Sequence, residues 1–106
     1  MRKPKKNPAR EKAVALRYRE REMSAPRVIA KGEGFVARKI RETALAQGVP
    51  IHRDDDLVEL LAQVEIDRDI PPELYASVAE ILSWIYRANN AARLSIRGEG
   101  TGAPRR

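Results

Sequence analysis

The fold of this chain is decided by residues 25–32, which read APRVIAKG, and by two later stretches, GVPI at residues 48–51 and IPPELY at residues 70–75. The first stretch predicts a β-strand, and Gly32 with Gly34 permits a sharp turn into a helix. The second stretch ends that helix, because glycine followed by proline is typical of a helix C-terminus, and then gives a short strand. The third stretch introduces the longest helix. The strand–helix–strand order indicates a parallel crossover.

The remaining segments add one strand and one helix. Residues 12–19 alternate apolar and polar side chains, the pattern of a half-buried strand. Asp54, Asp55 and Asp56 precede an apolar run and predict a capped helix N-terminus. Three apolar stripes are expected to face the core: Phe35, Val36, Ile40 and Ala44; Leu57, Leu60, Leu61 and Val64; and Leu74, Val78, Ile81, Leu82 and Ile85. The predicted fold class is α/β, a small single domain with a three- to four-stranded mixed sheet packed with three to four helices.

Positive charge is concentrated near the N-terminus. The 106 residues carry a net charge of +6, and the first 22 residues account for it, because nine Lys and Arg there stand against three Glu. Residues 1–11 are therefore predicted to be a basic flexible arm, residues 12–90 a folded domain and residues 91–106 a flexible tail. Such an arm attracts the phosphates of RNA, which makes RNA binding the alternative function. Against it, Tyr18 is the only aromatic residue near the arm on which a base could stack.

The residue types needed for conventional catalysis are scarce. The chain has no cysteine, and His52 is its single histidine. His52 with the nearby aspartates is a weak metal signal, because calcium loops need alternating ligands and a distal glutamate that is missing here. The sequence predicts no conventional enzyme, no cofactor, no metal site and no small-molecule ligand. Its apolar runs are also too short to span a membrane.

The three stretches quoted above, in that order and at that spacing, resemble the cytosolic C-terminal domain of the FlhB/YscU family. These proteins of the export gate switch substrate class in flagellar and injectisome type III secretion. The resemblance runs from about Lys12 to Arg87, so it covers the family's cytosolic domain, and the family's membrane domain is expected to be missing. It implies a non-enzymatic component of the export apparatus that docks at the export gate and supports or replaces the substrate-specificity switch domain.

The resemblance also implies partners and a location. Expected partners are a full-length FlhB/YscU-like membrane protein or other gate components, and export substrates. The expected location is the cytoplasm, or the inner-membrane periphery at the export gate. Basic side chains on or beside the strands and on the first helix are the candidate partner-binding residues: Arg17, Arg19, Arg27, Lys31, Arg38 and Arg41.

Family members cut their own backbone within an Asn-Pro-Thr-His sequence that leads into the first strand present here. This chain contains Asn7-Pro8, but the dipeptide is one residue out of register with that strand. Arg10 and Glu11 stand where threonine and histidine are expected. Self-cleavage is therefore not predicted at this degenerate site.

In the family, the segment before the cut forms a strand of the same sheet. This chain lacks the corresponding apolar segment, so its sheet is expected to have an open edge. An open edge presents unpaired backbone groups that an extended segment of a partner can complete. The expected docking mode is strand addition beside the first strand, around Ala15 and Arg17.

Overall fold

The computed structural model describes residues 10–19, 21–89 and 93–99. A short 3-10 turn, Pro72–Leu74, precedes the last helix. The strands and helices are, in chain order, β1 (Glu11–Arg17), β2 (Arg27–Glu33), α1 (Phe35–Ala46), β3 (Ile51–Arg53), α2 (Asp55–Leu61), α3 (Tyr75–Asn89) and β4 (Arg93–Glu99).

The strands form one mixed sheet in the order β2-β1-β4-β3. β1 is antiparallel to both β2 and β4, and β3 is parallel to β4. β2 and β3 therefore run parallel at opposite edges of the sheet, as the predicted crossover requires. The predicted fold class, a small α/β domain with a mixed sheet and three to four helices, is confirmed.

The prediction of a flexible tail from residue 91 is wrong for residues 93–99, which form β4 in the interior of the sheet. Leu94 and Ile96 of this strand are buried in the core. Gly98 suggested flexibility, but it is the residue that lets α2 approach, since a Cβ at this position would come within 2.8 Å of the Asp55 Cα. The alternating pattern of a strand was thus present in a segment whose glycines indicated a tail.

The expected open edge beside the first strand is also wrong. β1 is paired along its length with β2 on one side and with β4 on the other, from Glu11↔Glu99 to Arg17↔Arg93. Ala15 and Arg17 therefore offer no unpaired strand to a partner. The sheet edges are β2 and the three-residue β3.

Helices cover both faces of the sheet. Glu11 on β1 contacts Arg41 of α1, whereas the next residue, Lys12, contacts Glu59 of α2. Because successive side chains of a strand point to opposite faces, α1 and α2 lie on opposite sides. The main core lies on the α2 side and joins the sheet to α2 and α3 through Val14, Leu16, Val28, Leu57, Val58, Leu61, Ile70, Leu74, Val78, Leu82, Leu94 and Ile96.

The buried residues of α1 are small, which corrects the predicted stripe of that helix. Ala37 and Ala44 are its buried residues, whereas Phe35 and Val36 are 78% and 55% exposed. Gly32 lies so close to α1 that a Cβ there would clash with the Val36 side chain. At the N-terminal end of α1, the helix is therefore too close to the sheet for a large side chain to lie between them.

The N-terminus of α2 confirms the predicted cap. Asp54 accepts a hydrogen bond from the backbone N–H of Leu57 at 2.9 Å. Asp55 accepts hydrogen bonds from the Arg53 guanidinium at 3.2 Å and from the backbone N–H of Glu99 at 3.3 Å. The pKa of Asp55 lies below its ordinary value, mainly because of the Arg53 hydrogen bond and, with a smaller effect, the Glu99 N–H.

Asp55 therefore contributes a pH-dependent part of the stability. Because folding lowers its pKa below the ordinary value of 3.8, this contribution is present above pH 3.8 and is lost as the pH falls through the folded-state pKa. We expect Asp55→Asn to lower the free energy of unfolding at neutral pH and to converge with the unsubstituted protein in acid. Urea unfolding across this range, with Asp56→Asn as the control, measures the effect; a pH-independent difference would contradict it.

Candidate functional site

An open groove lies where the first and third of the stretches quoted above meet. The backbone N–H of Ile70 donates to the carbonyl of Pro26 at 2.9 Å, and the N–H of Val28 donates to the carbonyl of Arg68 at 3.0 Å. These bonds hold the segment before β2 beside the start of α3. The groove has a volume of about 320 Å³ and is lined by Tyr18, Ser24, Ala25, Pro26, Tyr75, Ala79, Leu82 and Ser83.

Helical spacing explains which residues of α3 form a wall of the groove. Tyr75, Ala79 and Ser83 recur every four residues, so they lie on one face of the helix, and Leu82 forms part of the same wall. Tyr75 is 43% exposed, while the small side chains of Ala79 and Ser83 leave room beside it. A tyrosine ring next to small side chains suits an apolar group with a polar end.

No side chain that lines the groove carries a charge. Its polar groups are the hydroxyls of Ser24, Ser83 and the two tyrosines. An apolar side chain of a partner can enter such a groove without desolvating an ion, while the hydroxyls of Ser24, Tyr75 and Ser83 can hydrogen-bond to its backbone. The arrangement suits the binding of an apolar side chain.

None of the six predicted partner-binding residues lines the groove, and two of them, Lys31 and Arg41, make part-buried contacts within the fold. The Lys31 ammonium donates to the carbonyls of Ala62 and Val64, each at 2.9 Å, and so satisfies backbone acceptors just beyond α2. Arg41 donates two hydrogen bonds to the buried Glu11 carboxylate at 2.6 and 3.1 Å. Hydrogen bonding to Glu11 is the main cause that raises the pKa of Arg41. A partner-binding role for either residue stays a prediction.

The other four predicted residues are exposed. Arg19 pairs with Glu22 at 3.7 Å, and Arg38 pairs with Glu42 at 3.0 Å. Exposed ion pairs of this kind add little stability, so these guanidinium groups remain accessible to a partner. Arg17 and Arg27 are register partners on neighbouring strands.

The residues of the weak metal signal lie on two elements of the described part of the chain. The described residues contain no cluster of three or more His, Asp or Glu that could hold a metal ion. His52 lies in β3, and Asp54 caps α2. Asn7 and Pro8, the degenerate cleavage position, lie outside the described residues. No helix in the described part of the chain is long and apolar enough to cross a membrane.

The groove itself was not predicted, because its apolar residues were assigned to the core or to its margins. A signal was nevertheless present in the sequence. Ala25 and Pro26 begin the first diagnostic stretch, and Tyr75 ends the third. Residues that define two distant motifs meet in one groove.

The fold is that of a known C-terminal domain. The crystal structure of the PscU C-terminal domain superposes with a TM-score of 0.67 and 31% sequence identity, covering 70% of this chain and 95% of that domain. The sequence model described as the FlhB HrpN YscU SpaS family matches residues 6–85. The chain belongs to this family.

Two relatives show how the chain relates to whole proteins of the family. YlqH of Bacillus subtilis is 49% identical over 82 residues, which cover 77% of this chain and 88% of YlqH. The flagellar biosynthetic protein FlhB of Escherichia coli is 46% identical over 76 residues, which cover 71% of this chain but 20% of FlhB. The chain therefore corresponds to most of one relative and to a fifth of the other.

Proposed function

We propose that this protein is a non-enzymatic component of the flagellar or a related type III export apparatus. It docks at the export gate and there supports or replaces the cytosolic substrate-specificity switch domain. The observation that carries the proposal is the uncharged groove, built where two stretches diagnostic of the family meet. Its partners are a full-length FlhB-like membrane protein, another gate component or an export substrate.

The groove favours a partner segment that presents an apolar side chain. Tyr75 supplies exposed apolar contact area, and the hydroxyl groups of Ser24 and Ser83 lie in the lining for hydrogen bonds. Aromatic side chains beside a small apolar recess are typical of the residues that contribute most to binding energy in protein interfaces. The proposal includes no self-cleavage, because Asn7-Pro8 lacks the threonine and histidine that follow it in the family.

The test places a charge in the groove and measures what co-purifies with the tagged protein from its native cells. Ala79→Glu introduces a carboxylate at an exposed position of the groove wall. We expect it to lower recovery of export-gate proteins or export substrates at least about tenfold, because an unpaired carboxylate against an apolar surface costs more than about 1.4 kcal/mol. Ala76→Glu is the matched control, since Ala76 is also exposed on α3 but does not line the groove.

Quantitative mass spectrometry separates the outcomes. Loss with Ala79→Glu and retention with Ala76→Glu support docking through the groove. Equal recovery with both variants contradicts it. Recovery of RNA alone, abolished when residues 1–10 are deleted and weakened steeply by salt, would instead support the alternative function of RNA binding.

A further inference from the structure

Three arginines form a row across neighbouring strands at one end of the sheet. Arg17 of β1 is the register partner of Arg27 on β2 and of Arg93 on β4. Directly opposed residues in antiparallel strands lie on the same face with Cβ atoms about 5 Å apart, and like charges at this spacing repel. Among the described residues, Asp69 is the carboxylate that contacts this arginine row, at 3.3 Å from Arg27.

Next to the arginine row lies an apolar pocket between α1 and the sheet, on the opposite face from the main core. It has a volume of about 220 Å³, and its apolar lining includes Ala15, Ile29, Ala30, Ile40 and Val49. Arg93, which lines the pocket, donates to Gln47 at the end of α1 at 2.9 Å. Lys39 brings a further positive charge to the lining.

The pocket lining also contains an unsatisfied polar group. Ser95 of β4 is 1% exposed, and its hydroxyl has no hydrogen-bond partner in the described part of the chain. A buried hydroxyl without a partner is unfavourable, so each such group needs a physical explanation. Here it lines the same pocket that the arginine row flanks.

We propose that the arginine row and this pocket form a second binding site, for an acidic peptide segment that carries one aliphatic anchor residue. The carboxylates of the segment contact Arg17, Arg27 and Arg93 and relieve their mutual repulsion. The anchor enters the pocket, whose volume lies below the range of about 300–1,000 Å³ that small-molecule sites occupy and suits a single side chain. A polar group of the bound segment supplies the missing partner of Ser95.

This site differs from the uncharged groove in position and in chemistry. The pocket includes three residues of β4, which lie beyond the family match that ends at residue 85. Its charge selects an acidic partner, whereas the groove carries no charge. The proposal therefore does not depend on the proposed function and is tested by direct binding to the purified full chain.

The probe is a fluorescein-labelled peptide with a central leucine flanked on both sides by glutamates, and fluorescence anisotropy measures its affinity. Arg17→Glu is expected to weaken binding at least about tenfold, because it reverses the central charge of the row. The Arg17 side chain is exposed, and no side-chain hydrogen bond or ion pair joins it to another described residue, so the fold should tolerate the change. Arg38→Glu is the control, since it alters the net charge equally on the exposed side of α1.

Two further comparisons test the pocket. Replacing the leucine of the peptide by glycine is expected to weaken binding about tenfold or more, because the anchor no longer buries apolar surface. Ser95→Ala is expected to weaken binding about two- to tenfold through loss of one hydrogen bond, without lowering the melting temperature of the free protein. A merely structural role of Ser95 would not produce this combination.

Selective effects of Arg17→Glu and of the leucine replacement support the site. Equal weakening by Arg17→Glu and Arg38→Glu, or indifference to the leucine, would show unspecific charge attraction and overturn it. Absence of peptide binding at millimolar concentration also overturns it. Binding of dodecanoate without binding of the peptide would overturn the peptide proposal and assign the pocket to an anionic amphiphile.

Discussion

A chain shortened to end at residue 89 is expected to lose its cooperative unfolding transition. It would lack β4, which pairs with β1 over seven residues and with β3 over three. The shortened chain would leave the inner edges of both strands unpaired and would lose Leu94 and Ile96 from the core. Each of these side chains contributes about 1.5–3 kcal/mol by burial, against a total stability of about 5–15 kcal/mol for a typical domain.

Circular dichroism and urea unfolding measure this loss. A chain that ends at Glu99 is the matched control and is expected to unfold as the full chain does. Ile96→Ala provides a graded version of the same change, with an expected cost of about 2–5 kcal/mol. A synthetic peptide of residues 93–99 is expected to restore part of the structure when added to the shortened chain. Cooperative unfolding of the chain ending at residue 89 without the peptide would contradict the prediction.

β4 also shows where sequence reasoning failed and why. Leu94 and Ile96 alternate with polar residues, but two apolar positions among glycines did not distinguish a strand from a tail. The family resemblance could not supply the strand, because the match ends at residue 85. Only the tertiary pairing with β1 and β3 identifies it. The expected open edge was wrong for the same reason, since β4 occupies that side of β1.

Sequence patterns predicted the structure correctly where a local physical requirement, such as a helix cap or a positive φ, determines the residue. Three features were predictable: the Asp54 cap, the alternation of Val14 and Leu16, and Gly48 at the end of α1. Gly48 has a positive φ of 71°, a conformation that favours glycine. Phe35 was misassigned because helical spacing does not reveal how closely a helix approaches a sheet. The groove and the arginine row escaped prediction because both bring together residues from segments far apart in sequence.

Glu11→Gln is expected to destabilise the protein by about 2–4 kcal/mol. The Glu11 carboxylate is buried and accepts two hydrogen bonds from Arg41, and Arg97 Nε lies 3.9 Å from it. Removing one partner of a buried ion pair leaves the other charges without compensation. Because the Arg41 side chain is about one third exposed, water compensates part of this loss, which extends the estimate below the range of about 3–5 kcal/mol for breaking a buried pair.

Urea unfolding at neutral pH compares Glu11→Gln with Glu42→Gln, which removes the exposed partner of Arg38 on the same helix. The control is expected to cost no more than about 0.5 kcal/mol. A double-mutant cycle of Glu11→Gln with Arg41→Gln then measures the coupling of β1 to α1, and a cycle with Arg97→Gln measures the coupling to β4. Equal losses for Glu11→Gln and Glu42→Gln would contradict the prediction. Coupling in both cycles would mean that the Glu11 carboxylate links α1, within the family-matched part of the fold, to β4, which lies beyond it. Because α1 and β4 both line the pocket beside the arginine row, the same carboxylate would stabilise two of its walls.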